Sequence, residues 1–222
     1  MRCLYHARMF QDQATLLLLI RHGETEWNRD ARIQGHTNIT LSAQGHGQAR
    51  AVAAALADTD IQAIYASDLL RALETAQSIA QAHGLPVHTD AGLRERAFGA
   101  FEGSSFAQLQ AIHPEACERW RKRDPSFAAP GGERLDDFYA RVTTTVLRIA
   151  ANHAGQTVVI VSHGGVLDCL HRCATSQDLH APRTWELRNA AINRVLVAEG
   201  RMTLVGWNDG GHLDSGLDEA LG

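Results

Sequence analysis

The feature that most constrains this chain is a set of three short apolar segments, each followed closely by basic or imidazole side chains. The segments read TLLLLI, IQAIYAS and TVVIVS. A continuous apolar run of this length is typical of a strand in a parallel sheet, which is buried on both faces. The residues that follow are Arg21-His22-Gly23, Asp68-Leu69-Leu70-Arg71 and His163-Gly164-Gly165. The pattern therefore predicts parallel strands whose carboxyl ends deliver charged or titratable groups.

Helical periodicity fills the intervals between these segments. Ser42 is a suitable N-cap for a helix that reaches about Asp58, and Ser67 is suitable for one from Asp68 to about Ala82. A third apolar stripe at helical spacing runs from Glu133 to His153. Further strands are predicted over 87–89, 193–198 and 203–207. Alternating strands and helices predict the α/β class with a mostly parallel sheet.

Ligands of such sheets bind beyond the carboxyl ends of the strands, so the side chains there are expected to meet. Two imidazoles and two guanidinium groups suit phosphoryl transfer. A neutral imidazole can attack phosphorus, and arginines can neutralise the oxygens of the transferred group. A leaving oxygen then needs an acid. Glu95, in the loop after the predicted strand Val87–Thr89, offers a carboxyl group for that purpose.

Composition excludes several classes of partner. The net charge is -4, so no overall basic field favours nucleic acid or an anionic membrane. No segment approaches the length of a transmembrane helix. The four cysteines match no zinc or haem spacing, and the histidines show no metal-ligand spacing, so neither a metal nor another cofactor is expected. This cysteine usage fits a reducing cytoplasm. Residues 1–14 are interpreted as a disordered extension, or as the result of a start codon upstream of Met9.

The segments LLIRHGETEWN, TNITLSAQG, YASDLLRALETAQ, LRERAFGAFEG, PGGE and VSHGG follow one another over residues 15–207. In this order and at these separations they resemble the histidine phosphatase superfamily, in its phosphoglycerate mutase-like branch. The resemblance implies a three-layer α/β/α fold with a small cap insertion. We expect a single domain over residues 15–210, a cap excursion over 98–132 and a tail over 211–222.

The resemblance also implies a role for each matching residue. His22 matches the nucleophile that becomes phosphohistidine, and Glu95 matches the proton donor. The other matches form the phosphate pocket and comprise Arg21, Asn28, Gln34, Arg71, His163 and the backbone amide of Gly164. The attacking nitrogen of His22 must be neutral, so its other nitrogen is expected to donate to a backbone carbonyl. The expected substrate is a small phosphorylated metabolite. The sequence leaves open whether the chain forms a homodimer.

Three alternatives remain. A phosphoglycerate mutase would use the same phosphohistidine with a second acceptor. A phosphoprotein-binding module would keep the pocket without turnover, although every chemical residue is present. A metal-dependent phosphatase would need a carboxylate-rich ligand set. The short-form phosphatase branch is favoured, because mutases of the superfamily usually carry tyrosine at the position of Phe98, a lysine near Phe106 and a long insertion with an arginine pair.

A basic run beside Trp120 has two interpretations. It suits a carboxylate or second phosphate above the pocket, whereas a solvated helix face is the commoner meaning of such a run. Its members are Arg119, Arg121, Lys122 and Arg123. Nearby aromatic residues either form an apolar cap over the substrate or only pack together, and these are Phe98, Phe101, Phe106 and Trp120.

Overall fold

The computed structural model describes residues 13–214. The predicted extension therefore lies outside the described residues except for its last two positions, as does the tail from residue 215. Within the described part, one sheet has six strands: Thr15–Arg21 (β1), Ala63–Ala66 (β2), Val87–Thr89 (β3), Thr157–Ser162 (β4), Ile192–Ala198 (β5) and Arg201–Asp209 (β6).

The α-helices of the same region flank this sheet or belong to its loops. They are Glu26–Arg29 (α1), Ala43–Ala55 (α2), Leu70–His83 (α3), Phe106–Ile112 (α4), Pro114–Arg121 (α5), Leu135–Ala151 (α6), Gly164–Thr175 (α7) and Gly211–Asp214 (α8). Single 3₁₀ turns cover Ala91–Leu93 and Gly99–Phe101. Among residues 13–214, no helix is long and apolar enough to cross a membrane.

The strand order is β3-β2-β4-β1-β5-β6. β3, β2, β4 and β1 pair in parallel, β5 runs antiparallel to β1, and β6 runs antiparallel to β5. The three apolar segments thus become the adjacent strands β2, β4 and β1. The predicted mostly parallel α/β sheet is confirmed, and the two antiparallel strands extend one edge.

Alternate residues of the central strands pack into opposite layers. Leu17 and Leu19 of β1 join the core formed with α6 and α7, whereas Leu18 and Ile20 join the core formed with α2 and α3. All four side chains are almost completely buried. Burial of one such side chain contributes about 1.5–3 kcal/mol. Helices on both faces give the three-layer α/β/α arrangement that the resemblance implies.

Two helix starts were predicted from serine residues, and one of them is wrong. The Ser42 side chain accepts from the Gly45 amide and caps α2 as expected. However, α3 begins at Leu70, after an N-cap position without a side-chain hydrogen bond. The Leu70 amide instead donates to Asn38 Oδ1 at 2.8 Å. A side chain from a distant loop therefore does what Ser67 was expected to do, and Arg71 still lies in the first turn.

Residues 98–132 fold back over the carboxyl edge of the sheet with a small apolar cluster of their own. Its buried members are Phe101, Leu109, Cys117, Phe127 and Ala129. Phe98 and Trp120 pack against this cluster with their rings stacked at 4.7 Å. The cluster fixes the position of these two rings beside the strand ends.

Candidate active site

The ends of β1 and β4 bring the two predicted histidines together. Arg21 is paired in register with Ser162, and the His22 amide donates to the Ser162 carbonyl at 2.9 Å. His22 and His163 therefore directly follow the last residues of two neighbouring parallel strands, β1 and β4. Their rings meet edge to face, with centroids 5.2 Å apart. Strand register alone thus brings together two residues that are far apart in the sequence.

The tautomer of His22 follows from its hydrogen bond. Its Nδ1 lies 2.7 Å from the Gly23 carbonyl oxygen, which can only accept, so Nδ1 carries the proton. The predicted hydrogen bond from one ring nitrogen to a backbone carbonyl is therefore present, and it leaves Nε2 unprotonated with a free lone pair. Burial lowers the pKa of His22 well below its usual value, and the charges of Arg71 and Arg21 lower it further. The imidazole is therefore neutral at physiological pH.

Arg71 and Arg21 approach the same space from different elements. Arg71, in the first turn of α3, is fully buried and donates to the carbonyls of Thr37 and Gly35 at 3.0 and 2.8 Å. Arg21, at the end of β1, donates from Nη1 to the Leu187 carbonyl at 2.6 Å. Desolvation lowers the pKa of Arg71 to about 10, so this group stays charged at neutral pH, and burial also lowers the pKa of Arg21.

Several buried nitrogen atoms of this cluster have no partner among the described residues. They are Nε of Arg21, Nε of Arg71 and both ring nitrogens of His163. A buried donor without a partner costs about 1–3 kcal/mol. The two guanidinium nitrogens and the protonated nitrogen of His163 are donors, and three such donors within one cluster favour an anionic ligand with several oxygen atoms.

Glu95 brings a carboxylate to the edge of this cluster. Its Oε2 accepts from the Gly165 amide at 2.9 Å, and its Oε1 accepts from the Arg96 amide at 2.8 Å. A Cβ on Gly165 would collide with this carboxylate, so a larger residue at this position would displace Glu95. Each oxygen keeps a second lone pair for a proton. The carboxyl group is thus fixed in place without being neutralised by a salt bridge.

The backbone of the loop that carries Glu95 is tied down by two side chains. Arg141 of α6 donates to the carbonyls of Gly92 and Arg94 at 2.9 and 3.1 Å. His36 Nε2 donates to the Glu95 carbonyl at 2.8 Å. Neither residue has a motif in the sequence that would mark it, because each acts on backbone atoms far away along the chain.

Thr25 orients the two predicted amide side chains. Its hydroxyl lies 3.0 Å from Gln34 Oε1 and 3.2 Å from Asn28 Oδ1, and its backbone amide donates to Asn28 Oδ1. The oxygen ends of both amides are thereby engaged. Both residues also line the cavity described below. Thr25 itself was not predicted, although it lies inside the first motif.

The resulting cavity has a volume of about 180 Å³. Its wall includes the predicted residues Arg21, His22, Asn28, Gln34, Arg71, Glu95 and Gly164. His163 is not part of this wall; its ring lies edge to face against the His22 ring, directly behind the wall. The wall also includes Phe98, Trp120 and the exposed Arg32, and we call this part of the cavity its mouth. Two rings of the predicted aromatic cap thus border the cavity.

Glu102 is a second acidic residue close to Glu95 in the sequence, and its carboxylate has different partners. Its carboxylate accepts from the amides of His36, Thr37 and Phe98, and from the Thr37 hydroxyl. Burial opposes ionisation, but these hydrogen bonds outweigh it and lower the pKa of Glu102. Glu102 therefore shapes the loop whose carbonyls bind Arg71.

Each cation of the basic run is already paired. Arg119 contacts Asp124, Arg121 and Lys122 contact Glu118, and Arg123 contacts the buried Asp168. The run is therefore mainly a paired helix surface, although Arg121 and Arg123 also line an adjoining cavity. Among residues 13–214, no group of three or more His, Cys, Asp or Glu side chains has the arrangement of a metal site.

One further residue of the site lacks any sequence signal. Asn189 donates from Nδ2 to the His22 carbonyl at 2.8 Å. It lies in the irregular segment between α7 and β5, which also supplies the carbonyl that accepts from Arg21. Only the fold reveals that this segment supports the two central residues.

The chain is similar to known proteins over most of its length. Residues 17–210 match the sequence profile of the histidine phosphatase superfamily (branch 1). Phosphoglycerate mutase-like protein 4 of Arabidopsis thaliana is 38% identical, covering 89% of this chain and 86% of that protein. The metal-independent phosphoserine phosphatase of the same plant is 33% identical, covering 92% and 86% respectively. A phosphoserine phosphatase of Entamoeba histolytica in complex with 3-phosphoglyceric acid is 31% identical with a TM-score of 0.80, covering 90% of this chain and 99% of that one.

Proposed function

Because the chain belongs to the histidine phosphatase superfamily (branch 1), we propose that it hydrolyses small phosphomonoesters through a phosphohistidine at His22. The observation that carries the proposal is the neutral His22 imidazole beside buried guanidinium and imidazole nitrogens that have no protein partner. Residues 15–210 would form the catalytic domain, with 98–132 as its cap. The free thiols of Cys117, Cys169 and Cys173 support a reducing compartment such as the cytoplasm.

The first chemical step forms the bond between Nε2 of His22 and phosphorus. The bond from phosphorus to the leaving oxygen breaks, and that oxygen takes a proton from Glu95. Arg21, Arg71 and His163 donate to the phosphoryl oxygens, with Asn28, Gln34 and the Gly164 amide completing the pocket. An arginine about 4 Å from a phosphate charge contributes about 4 kcal/mol at an effective dielectric of about 20, before desolvation.

The second step returns the enzyme to its starting state. A water molecule attacks phosphorus and gives its proton to the Glu95 carboxylate, while the electron pair of the N–P bond returns to His22. The same carboxyl group therefore acts as acid and then as base, which needs a fixed position. The amides of Gly165 and Arg96 supply that fixed position.

Hydrolysis is favoured over mutase activity because of the cavity mouth. A mutase must exclude water from the phosphohistidine while the bound product reorients and is phosphorylated again. Phe98 lacks the hydroxyl that mutases usually place there, and its ring stacks on Trp120. The cations of the run 119–123 are paired with carboxylates of the protein, so they are less available for a substrate carboxylate.

The test supplies 3-phosphoglycerate with a trace of 2,3-bisphosphoglycerate and follows free phosphate and 2-phosphoglycerate together. We expect phosphate release to exceed isomer formation. A panel of phosphomonoesters measured beside it would rank the substrates. Formation of 2-phosphoglycerate in excess of free phosphate would show that the enzyme is a mutase and not a phosphatase. Turnover without phosphorylation of His22 would refute the mechanism.

A further inference from the structure

A second cavity of about 480 Å³ adjoins the mouth of the phosphate pocket. Its wall includes Trp120, which also lines the pocket itself, together with Phe106 and Pro182. We call this second cavity the vestibule. A substrate whose phosphoryl group reaches His22 must extend its leaving part through the mouth, so the groups of the vestibule can contact that part.

Arginines line the vestibule, but they differ in their partners. Arg121 donates to Glu118 and Gln110, and Arg123 donates to Asp168 and the Leu179 carbonyl. Arg183 is exposed and makes no hydrogen bond or ion pair with any of the described residues. It therefore keeps its donors and its whole charge for a ligand.

The segment that carries Arg183 also contacts two residues of the phosphate pocket. Leu187 of that segment accepts from Arg21, and Asn189 donates to the His22 carbonyl. The charges of Arg183 and Arg21 interact: burial is the main cause of the lowered pKa of Arg21, and repulsion by Arg183 adds to it. Arg183, which lines the vestibule, is thus near enough to Arg21 of the phosphate pocket for their charges to interact.

We propose that Arg183 binds a second anionic group, a carboxylate or a phosphate, on the leaving part of the substrate. This inference rests on the proposed phosphatase function and specifies its substrate class. A planar guanidinium suits either group, because its donors match two oxygen atoms at once. Trp120 and Phe106 would pack against the atoms between the two anionic groups. A single exposed arginine leaves the vestibule open to water, as hydrolysis requires.

The test compares ligands that differ in one anionic group. The pairs are 3-phosphoglycerate against glycerol 3-phosphate, and fructose 1,6-bisphosphate against fructose 6-phosphate. Their affinities are measured by calorimetry at low salt in a His22→Ala background, so that binding is read without turnover. Arg183→Gln is compared with Arg201→Gln, which removes the same charge at the opposite end of the sheet.

We expect Arg183→Gln to weaken the doubly anionic member of at least one pair by about tenfold, and its singly anionic partner by less than about twofold. The pair affected identifies carboxylate or phosphate as the preferred group. Arg201→Gln should change every ligand by less than about twofold. Arg183→Lys should restore part of the preference, and added salt should reduce it in the background protein.

Equal weakening of both members of each pair would overturn the proposal, because it would indicate only long-range attraction of the phosphoryl group. No change in any ligand would overturn it as well. Neither result would affect the proposed phosphatase function. That function is tested separately by turnover of p-nitrophenyl phosphate in the protein with intact His22.

Discussion

Substitution of Glu95 by glutamine tests the division of the reaction into two steps. The amide has nearly the same shape, but it carries no acidic proton for the leaving oxygen. In the structure, both carboxylate oxygens accept from backbone amides, of Arg96 and Gly165. One of these N–H groups would face the NH₂ of glutamine, so a shift of the side chain is expected as a secondary effect.

The expected magnitude depends on the leaving group. A positioned acid contributes about 10²–10⁴ in rate, which is about 3–5 kcal/mol at 1.36 kcal/mol per tenfold. An alkoxide needs that proton, so hydrolysis of glycerol 3-phosphate should fall by this whole factor. A nitrophenolate leaves without a proton, so the first step with p-nitrophenyl phosphate should be slowed by less than about tenfold.

The second step requires Glu95 as a base whatever the leaving group was. The variant should therefore release nitrophenolate in a rapid burst and then accumulate phosphoenzyme. Stopped-flow absorbance measures the burst, and phosphate trapped on the protein measures the intermediate. Glu199→Gln, in the exposed turn between β5 and β6, is the matched control and should behave as the parent protein. Equal losses for both substrates without a burst would refute the assignment of both roles to Glu95.

Three further predictions follow from the charges of the pocket. Arg71→Gln should lower kcat/KM by about 10²–10³, because an arginine about 4 Å from a phosphate charge contributes at most about 4 kcal/mol. An unchanged kcat/KM in a variant with a normal unfolding transition would contradict this prediction. Burial and the charge of Arg71 lower the pKa of His22, so its ring resonances in NMR spectra should show no titration as pH falls through 6.5. Arg71→Gln should raise the pKa of His22. Titration of His22 near 6.5 in the parent protein would refute this prediction. Activity should survive EDTA and be inhibited competitively by vanadate, because arginines supply the positive charge; loss in EDTA with recovery on addition of a divalent ion would refute this.

The sequence was sufficient to predict the sheet and the centre of the site for a simple reason. A strand whose residues are all apolar is stable only where both of its faces are covered by other elements, so β1, β2 and β4 had to lie inside the sheet. The residues after their ends then had to share one edge. His22, Arg21 and Arg71 meet there, as predicted.

The remaining features depend on contacts that no local pattern encodes. Asn38 replaces Ser67 at the start of α3 because a loop from elsewhere brings its side chain to the Leu70 amide. Thr25 and Asn189 act on groups of other segments. Arg183 differs from the other arginines of the vestibule only in having no ion-pair partner among the described residues. The basic run was easier to see in the sequence, yet its cations are paired.

The most direct test of the account is to identify the phosphorylated residue. The protein is mixed with substrate, quenched in alkali within milliseconds and digested, and the phosphopeptide is sequenced by mass spectrometry. We predict phosphate on His22 that is stable in alkali and lost in acid, and its absence in His22→Ala, which should have no turnover. Phosphate on an aspartate or serine, or normal turnover by His22→Ala, would contradict the central claim.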